Sequence, residues 1–234
     1  MLLDRPARLL LGLNNALVGR GSGDEPNPRP VDDLEWNQRL VEAAPELRAE
    51  WFRFRSAGGR LPRIEDVLGE HQGNTEVWGA GLLWSRGRPA GPLLDRFPRT
   101  VDALRQVPGL RSALWSVMAP GTELPEHTGP DAGVYRYHLG IDCPPHCALR
   151  VGDVEVAYRD GVGILFDDTA PHAAWNRSSA ERVTLFCEIV RDADWPVSLV
   201  NRMTHALLAR DPRYGGAPER ATAWDRSLNR VGGR

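Results

Sequence analysis

Alternation of apolar and polar positions with a period of two sets the character of the chain from residue 112 onward. The runs "SALWSVMAP", "VYRYHLGID", "CALRVGDVEVAYRD", "GVGILFDD" and "RVTLFCEIV" are short, rich in β-branched and aromatic residues, and separated by Gly, Pro and Asp. That spacing predicts an antiparallel all-β core of the sandwich or jelly-roll kind. Upstream the rhythm is helical. Leu34, Trp36, Leu40, Val41, Leu47, Trp51 and Phe52 recur at helical spacing over residues 31–55, as one helix or as two broken at Pro45. Residues 94–108 predict another short helix with Thr100 as its cap. The tail from 192 returns to helix, with Trp195, Leu199, Met203, Ala206 and Leu207 on one stripe. The predicted organisation is a leading helix and Gly/Pro-rich linker over 1–30, then one domain over 31–234. Within that domain lie helical segments at 31–108, a β core at 110–191 and a helical tail at 192–234.

The pleat assigns faces within the strands. Val134, Arg136, His138 and Gly140 share one side of their strand; Tyr135, Tyr137, Leu139 and Ile141 share the other. The aromatic and aliphatic side is expected to pack on helices, which turns Arg136 and His138 inward. Arg182 and Thr184 likewise oppose Val183, Leu185, Cys187 and Ile189, and Ser116 and Met118 oppose Trp115 and Val117. Unpaired arginines inside a barrel are expensive, so these faces imply an anion within; the alternative is a sheet wet on one side.

Composition narrows the function classes. Of 234 residues 41% are hydrophobic, enough for a sizeable core. A net charge of −2 makes no case for nucleic acid or an acidic membrane as partner. All 29 basic residues are arginine, which with abundant Gly, Pro and Ala points to a very GC-rich genome. Three cysteines (Cys143, Cys147, Cys187) do not make a disulfide framework, so a reducing cytoplasm is expected. The N-terminal apolar runs are too short and interrupted for a membrane span or a signal peptide. They suit an amphipathic helix lying on something apolar.

His127 in "LPEHTGP" and His172 in "ILFDDTAPHAAWN" both sit at strand–turn junctions, 45 residues apart, a separation that suits ligands reaching inward from opposite strands of a jelly roll. The common non-heme iron site pairs His-x-Asp/Glu with a distant His, and here the i+2 position is Gly129. On the residues alone, hydrogen-bonded turn histidines are the favoured reading and a metal site is the minority one.

Taken together, "HTGPDAGVYRYHLGI", "RVGD", "FDDTAPHAAWN" and "RVTLFCEIVR" resemble the aspartyl/asparaginyl β-hydroxylase family of Fe(II)/2-oxoglutarate dioxygenases. The likeness is strongest over residues 110–191. It implies a mainly β fold with flanking helices, a double-stranded β-helix (cupin-like jelly roll). It also implies iron held by His127 and His172, with water where a carboxylate would otherwise bind and Gly129 marking that place. Arg182 would bind the distal carboxylate of 2-oxoglutarate. Ser116 and His138 fall at further co-substrate contacts, and Arg136 and Met118 are grouped with them. On this reading the strand before His172 ends at Asp167 and Asp168 to turn the chain sharply, the two aspartates bond turn amides, and Trp175 packs behind the metal. "CPPHC" at 143–147 lacks the separated ligand pairs of a zinc site and is read as a turn.

The resemblance implies that iron, 2-oxoglutarate and O2 together hydroxylate an unactivated C–H bond, with succinate and CO2 released. The substrate expected first is a small molecule or peptide containing an amino acid, hydroxylated at its β-carbon. Animal members carry a further arginine where this chain has Val134, which weakens the case for an Asp/Asn peptide. Arginines at 86, 88, 96 and 99 are candidates to restore that charge. A lipid A-type acyl chain hydroxylase ranks second, because an actinobacterium-like source would have no lipid A. An H-x-G halogenase and a non-catalytic cupin-like binding domain follow. The oligomeric state is not legible.

Overall fold

The computed structural model describes residues 5–19, 26–69, 78–210 and 216–231. Its strands are β1 (Trp78–Ser85), β2 (Arg88–Pro89), β3 (Leu110–Met118), β4 (Thr122–His127), β5 (Val134–Asp142), β6 (Cys147–Val151), β7 (Val154–Ala157), β8 (Gly163–Phe166), β9 (His172–Asn176) and β10 (Arg182–Val190). They form a six-stranded sheet, β2-β1-β3-β10-β5-β8, and a four-stranded sheet, β4-β9-β6-β7. Both are antiparallel. With the flanking helices, this is the mainly β jelly roll that the alternation predicts.

The face assignments hold. Tyr135, Tyr137, Leu139 and Ile141 of β5, with Val183, Leu185, Cys187 and Ile189 of β10, pack into the main core. Against them lie Leu40, Leu47 and Trp51 of helix α2 (Glu35–Ser56), which runs unbroken through Pro45. Asn37 of this helix accepts a hydrogen bond from the Tyr137 hydroxyl at 2.7 Å. The linker residues 21–25 lie outside the described residues; beyond them Arg29 N donates to Leu165 O at 2.8 Å and covers the open edge of β8.

Three expectations change. The segment 31–108, read as helical, contains β1 and β2. Strand β1, "WGAGLLWS", is buried along nearly its whole length, between the main core (Leu83, Trp84) and a second cluster (Trp78, Ala80, Leu82). A strand covered on both faces carries no alternation to read. Thr100 does not cap its helix. It lies inside α4 (Pro98–Leu104), where the buried Glu50 carboxylate accepts from Arg99 N (2.8 Å), Thr100 N (2.9 Å) and Thr100 Oγ1 (2.8 Å). In the tail, α5 (Val197–Leu208) buries Asn201, Thr204, His205 and Leu208, so the predicted apolar stripe faces outward.

Helices α1 (Arg5–Gly19) and α5 pack together, with Asn14 Nδ2 donating to Asn201 Oδ1 at 2.9 Å. Asn15 ties α1 to the loop after β4: its Nδ2 donates to Pro130 O (2.7 Å) and its Oδ1 accepts from Ala132 N (3.0 Å). Helices α3 (Ile64–Leu68) and α6 (Ala217–Val231) lie together against β1. No helix among the described residues is long and apolar enough to cross a membrane.

Candidate metal and co-substrate site

His127 closes β4 and His172 opens β9. These are neighbouring strands rather than opposite ones, and the two histidines are register partners with ring centroids 4.1 Å apart. Each ring is oriented by the chain just before it. His127 Nδ1 donates to Pro125 O at 2.8 Å, and His172 Nδ1 donates to Ala170 O at 2.9 Å. A carbonyl can only accept, so both protons sit on Nδ1 and both Nε2 lone pairs are left for a metal. Burial lowers the pKa of His172 and favours its neutral form.

Among the described residues no group of three His, Cys, Asp or Glu is placed to hold a metal. The space beside the histidines explains why residue 129 is glycine. Gly129 N donates to Asp168 O at 2.6 Å, and a Cβ on Gly129 would overlap the Asp168 carboxylate. Asp167 behaves as expected and accepts from Thr169 N at 2.9 Å. Asp168 does not: its Oδ2 accepts from Arg136 Nε at 2.7 Å, while its buried Oδ1 has no hydrogen-bond partner. A solvated metal beside the two imidazoles would offer that oxygen a donor.

Deeper between the sheets lies Arg182, 2% exposed. Its guanidinium lies over the Tyr158 ring at 4.4 Å, and its Nε and Nη1 have no hydrogen-bond partner. A buried cation with two orphaned donors calls for an anion, and the planar fork matches a carboxylate. His138 stands beside it, its Nδ1 2.8 Å from the Tyr158 hydroxyl and its Nε2 unpartnered. Burial first, and then the Arg182 charge, push the His138 pKa well down, so the ring is neutral. Burial likewise pushes the Tyr158 hydroxyl up to about 12. Thr184 adds another buried hydroxyl without a partner. These donors and the two free imidazole nitrogens fit iron and a dicarboxylate such as 2-oxoglutarate.

The remaining predicted residues divide. Met118 is the register partner of Arg182 and lines the same cavity. Ser116 lies one layer back, its hydroxyl accepting from Trp78 Nε1 at 2.9 Å, and it is the indole that reaches the cavity. Arg136 faces inward, but its charge is taken by Asp168 and by Glu188. Burial opposes the Arg136 charge, and the two carboxylates more than restore it. Trp175 points away from the two histidines, beneath the Arg177 guanidinium at 4.6 Å. "CPPHC" is a turn, as read, with the Cys147 thiol on Asn176 Oδ1 at 3.0 Å.

Residues overlooked in the sequence complete a charged wall. His205 Nε2 is 3.4 Å from Asp131 Oδ2, which is 3.0 Å from Arg111 Nη1. Arg111 stands 3.9 Å from Glu188, and Glu188 pairs with Arg136. Glu188 was recoverable by period two from Arg182 and Thr184. Asp131 and His205 carried no such signal.

The family model described as aspartyl/asparaginyl beta-hydroxylase matches residues 42–192, which include both histidines, Arg182, His138 and Asp168. The chain belongs to that family. It is 32% identical over 183 residues to an ornithine lipid ester-linked acyl 2-hydroxylase of Rhizobium tropici, covering 75% of this chain and 65% of that protein. It is 30% identical over 165 residues to the human aspartyl/asparaginyl beta-hydroxylase, covering 68% of this chain and 21% of that one. The chain thus spans less than two thirds of either relative. A Cupin 2 conserved barrel domain protein from Salinispora arenicola is similar over 61% of this chain and 93% of its own, with 13% identity and a TM-score of 0.35. Within the family match the cavity-lining residues come from the sheets, their connecting loops and α3; α1, α5 and α6 fall outside it.

Proposed function

We propose that the protein is an Fe(II)- and 2-oxoglutarate-dependent hydroxylase whose substrate is the acyl chain of a lipid. The observation that carries this reading is a cavity of about 890 Å³ in which the polar site and an apolar wall meet. That volume lies towards the upper end for ligand pockets, roughly 300–1,000 Å³. Its polar part holds His127, His172, Arg182 and His138, and its apolar wall includes Ile64, Leu68, Trp78, Leu82, Leu114 and Leu124.

An amino-acid substrate would need a cation to read its carboxylate, and Arg136 is an inward-facing arginine that lines the cavity. With Asp168 and Glu188 both on its guanidinium, Arg136 has little charge to offer a further anion. The acyl reading, second in the sequence, therefore moves ahead, and the similarity to a lipid acyl hydroxylase supports it. In this scheme His127 and His172 hold the metal through Nε2. Arg182 takes the distal carboxylate of 2-oxoglutarate with its Nε and Nη1. Neutral His138 adds a polar contact without a second positive charge. The apolar wall lays a methylene chain beside the histidines and keeps water from it. Bound iron supplies the O2-dependent oxidation of a C–H bond, coupled to conversion of 2-oxoglutarate into succinate and CO2.

The test begins with the anaerobic protein. Fe(II) and 2-oxoglutarate together are expected to give a visible charge-transfer band; its absence removes the metal site. O2 is then admitted with ester-linked acyl aminolipids, phospholipids, free amino acids or Asp-containing peptides, and products gaining one oxygen are sought by mass spectrometry. Hydroxylated acyl chains are expected. Product from the amino acids or peptides alone returns the substrate to that class.

A further inference from the structure

Helix α5 is amphipathic in the wrong sense for a helix that only packs on its own protein. Its polar Asn201, Thr204 and His205 face inward, while Leu199, Met203 and Leu207 stand outward on the opposite stripe. Its neighbour α1 buries Leu11, Asn14 and Val18 and turns Leu9 and Leu13 out. Trp195, just before α5, is 80% exposed. Of the nine large hydrophobic side chains exposed among the described residues, six therefore belong to this one two-helix layer. Scattered exposed leucines need no explanation, but a clustered set does.

The charges of the layer have one sign. Neither helix contains Asp or Glu, whereas Arg8 and Arg202 are exposed and Arg210 follows α5. The acidic residues beside it are Asp131, buried against His205, and Asp192 and Asp194, before Trp195, while in sequence Asp4 precedes α1 and Asp211 follows Arg210. A whole-chain charge of −2 conceals this local basic face. The layer also adjoins the candidate active site: Arg202, His205 and Ala206 of α5 line the cavity, and Asn15 of α1 holds the loop after His127.

We propose that α1 and α5 form a docking face for an anionic lipid bilayer, with Trp195, Leu199, Met203, Leu207, Leu9 and Leu13 entering the headgroup boundary and the arginines meeting lipid phosphates. Apolar residues on one side with arginines and no acids are the chemistry of an interfacial helix. A second copy of the chain fits less well, because a two-fold contact would set Arg8 and Arg202 against their own counterparts with no acid on either helix. The face is independent of which molecule is hydroxylated.

The full chain is mixed with vesicles of phosphatidylcholine alone or of equimolar phosphatidylcholine and phosphatidylglycerol, and binding is read by flotation. Binding to the anionic vesicles, weakened by salt, is expected. The Leu199→Glu/Met203→Glu variant is expected to bind about tenfold or more weakly, while keeping its circular dichroism and its iron–2-oxoglutarate band. Brominated lipid is expected to quench a part of the tryptophan fluorescence that Trp195→Phe removes. No binding, equal binding to neutral vesicles, or undiminished binding of the double variant overturns the proposal. So does a wild-type dimer in light scattering that the double variant converts to monomer, since a second copy then covers the face. Vesicle binding without acyl hydroxylation upholds the face and overturns the acyl substrate alone.

Discussion

The Asp168 carboxylate fills the space that any side chain at residue 129 would need, while the Gly129 amide donates to the Asp168 carbonyl at 2.6 Å. Glycine here is a steric requirement of the turn that precedes His172. An acid stands next to the two-histidine pair, but it arrives from the β8–β9 turn and is already bound to Arg136.

Gly129→Asp is therefore expected not to add a ligand to the proposed iron site. Forcing a side chain into this space is expected to lower stability by about 1–3 kcal/mol, measured by chemical denaturation, and Fe(II) affinity is expected not to rise. Tighter iron binding with undiminished stability would show that the space is open.

His127→Ala and His172→Ala are each expected to abolish Fe(II) binding and succinate formation while circular dichroism stays native. The two rings meet as register partners, and no third protein ligand among the described residues stands ready to compensate. Wild-type turnover by either variant would place the metal elsewhere.

Arg182→Met is expected to raise the 2-oxoglutarate concentration needed for half-maximal activity steeply. Removing one partner of a buried ion pair costs about 3–5 kcal/mol, more than a hundredfold in affinity. Arg182→Lys is expected to recover part of this, since a point charge replaces a two-donor fork. An unchanged half-saturation in the Met variant, at retained melting temperature, would assign the anchor to another cation.

Glu188 supplies a pH-dependent contribution to stability. Burial works against its charge, but Arg136 and Arg111 overcome this, and the carboxyl is held at about 2. A depressed carboxylate pKa means that the unfolded chain binds the proton first as pH falls. The stabilisation is thus complete above the ordinary glutamate range and is lost as pH falls through it towards about 2. Glu188→Gln is expected to flatten that slope and to lower stability at neutral pH, where Arg136 and Arg111 lose a counter-charge. Identical acid-unfolding curves for the two proteins would contradict this.

Period two in the sequence placed Arg136, His138, Arg182 and Thr184 inside the barrel and Tyr135, Tyr137 and Leu185 outside it. The side-chain alternation of a strand is a local consequence of the pleat, so it survives without knowledge of the neighbours. The order of His127, Gly129, His172 and Arg182 was equally legible, through the resemblance that those motifs carry.

Tertiary structure decided which groups meet. Arg136 reads as a free cation until Asp168 and Glu188, 32 and 52 residues away, are brought to it. Thr100 reads as a cap until Glu50 arrives from α2 to take the helix amides. Strand β1 is covered on both faces and so loses the alternation that would have announced it. In α5 the apolar stripe is the visible periodicity, yet Asn14 of α1 and the Gly133 and Arg191 carbonyls give Asn201 its buried partners and turn the leucines outward. Hydrogen-bond and charge partners distant in sequence set the direction of that helix, because a buried amide must be satisfied and an exposed leucine need not be.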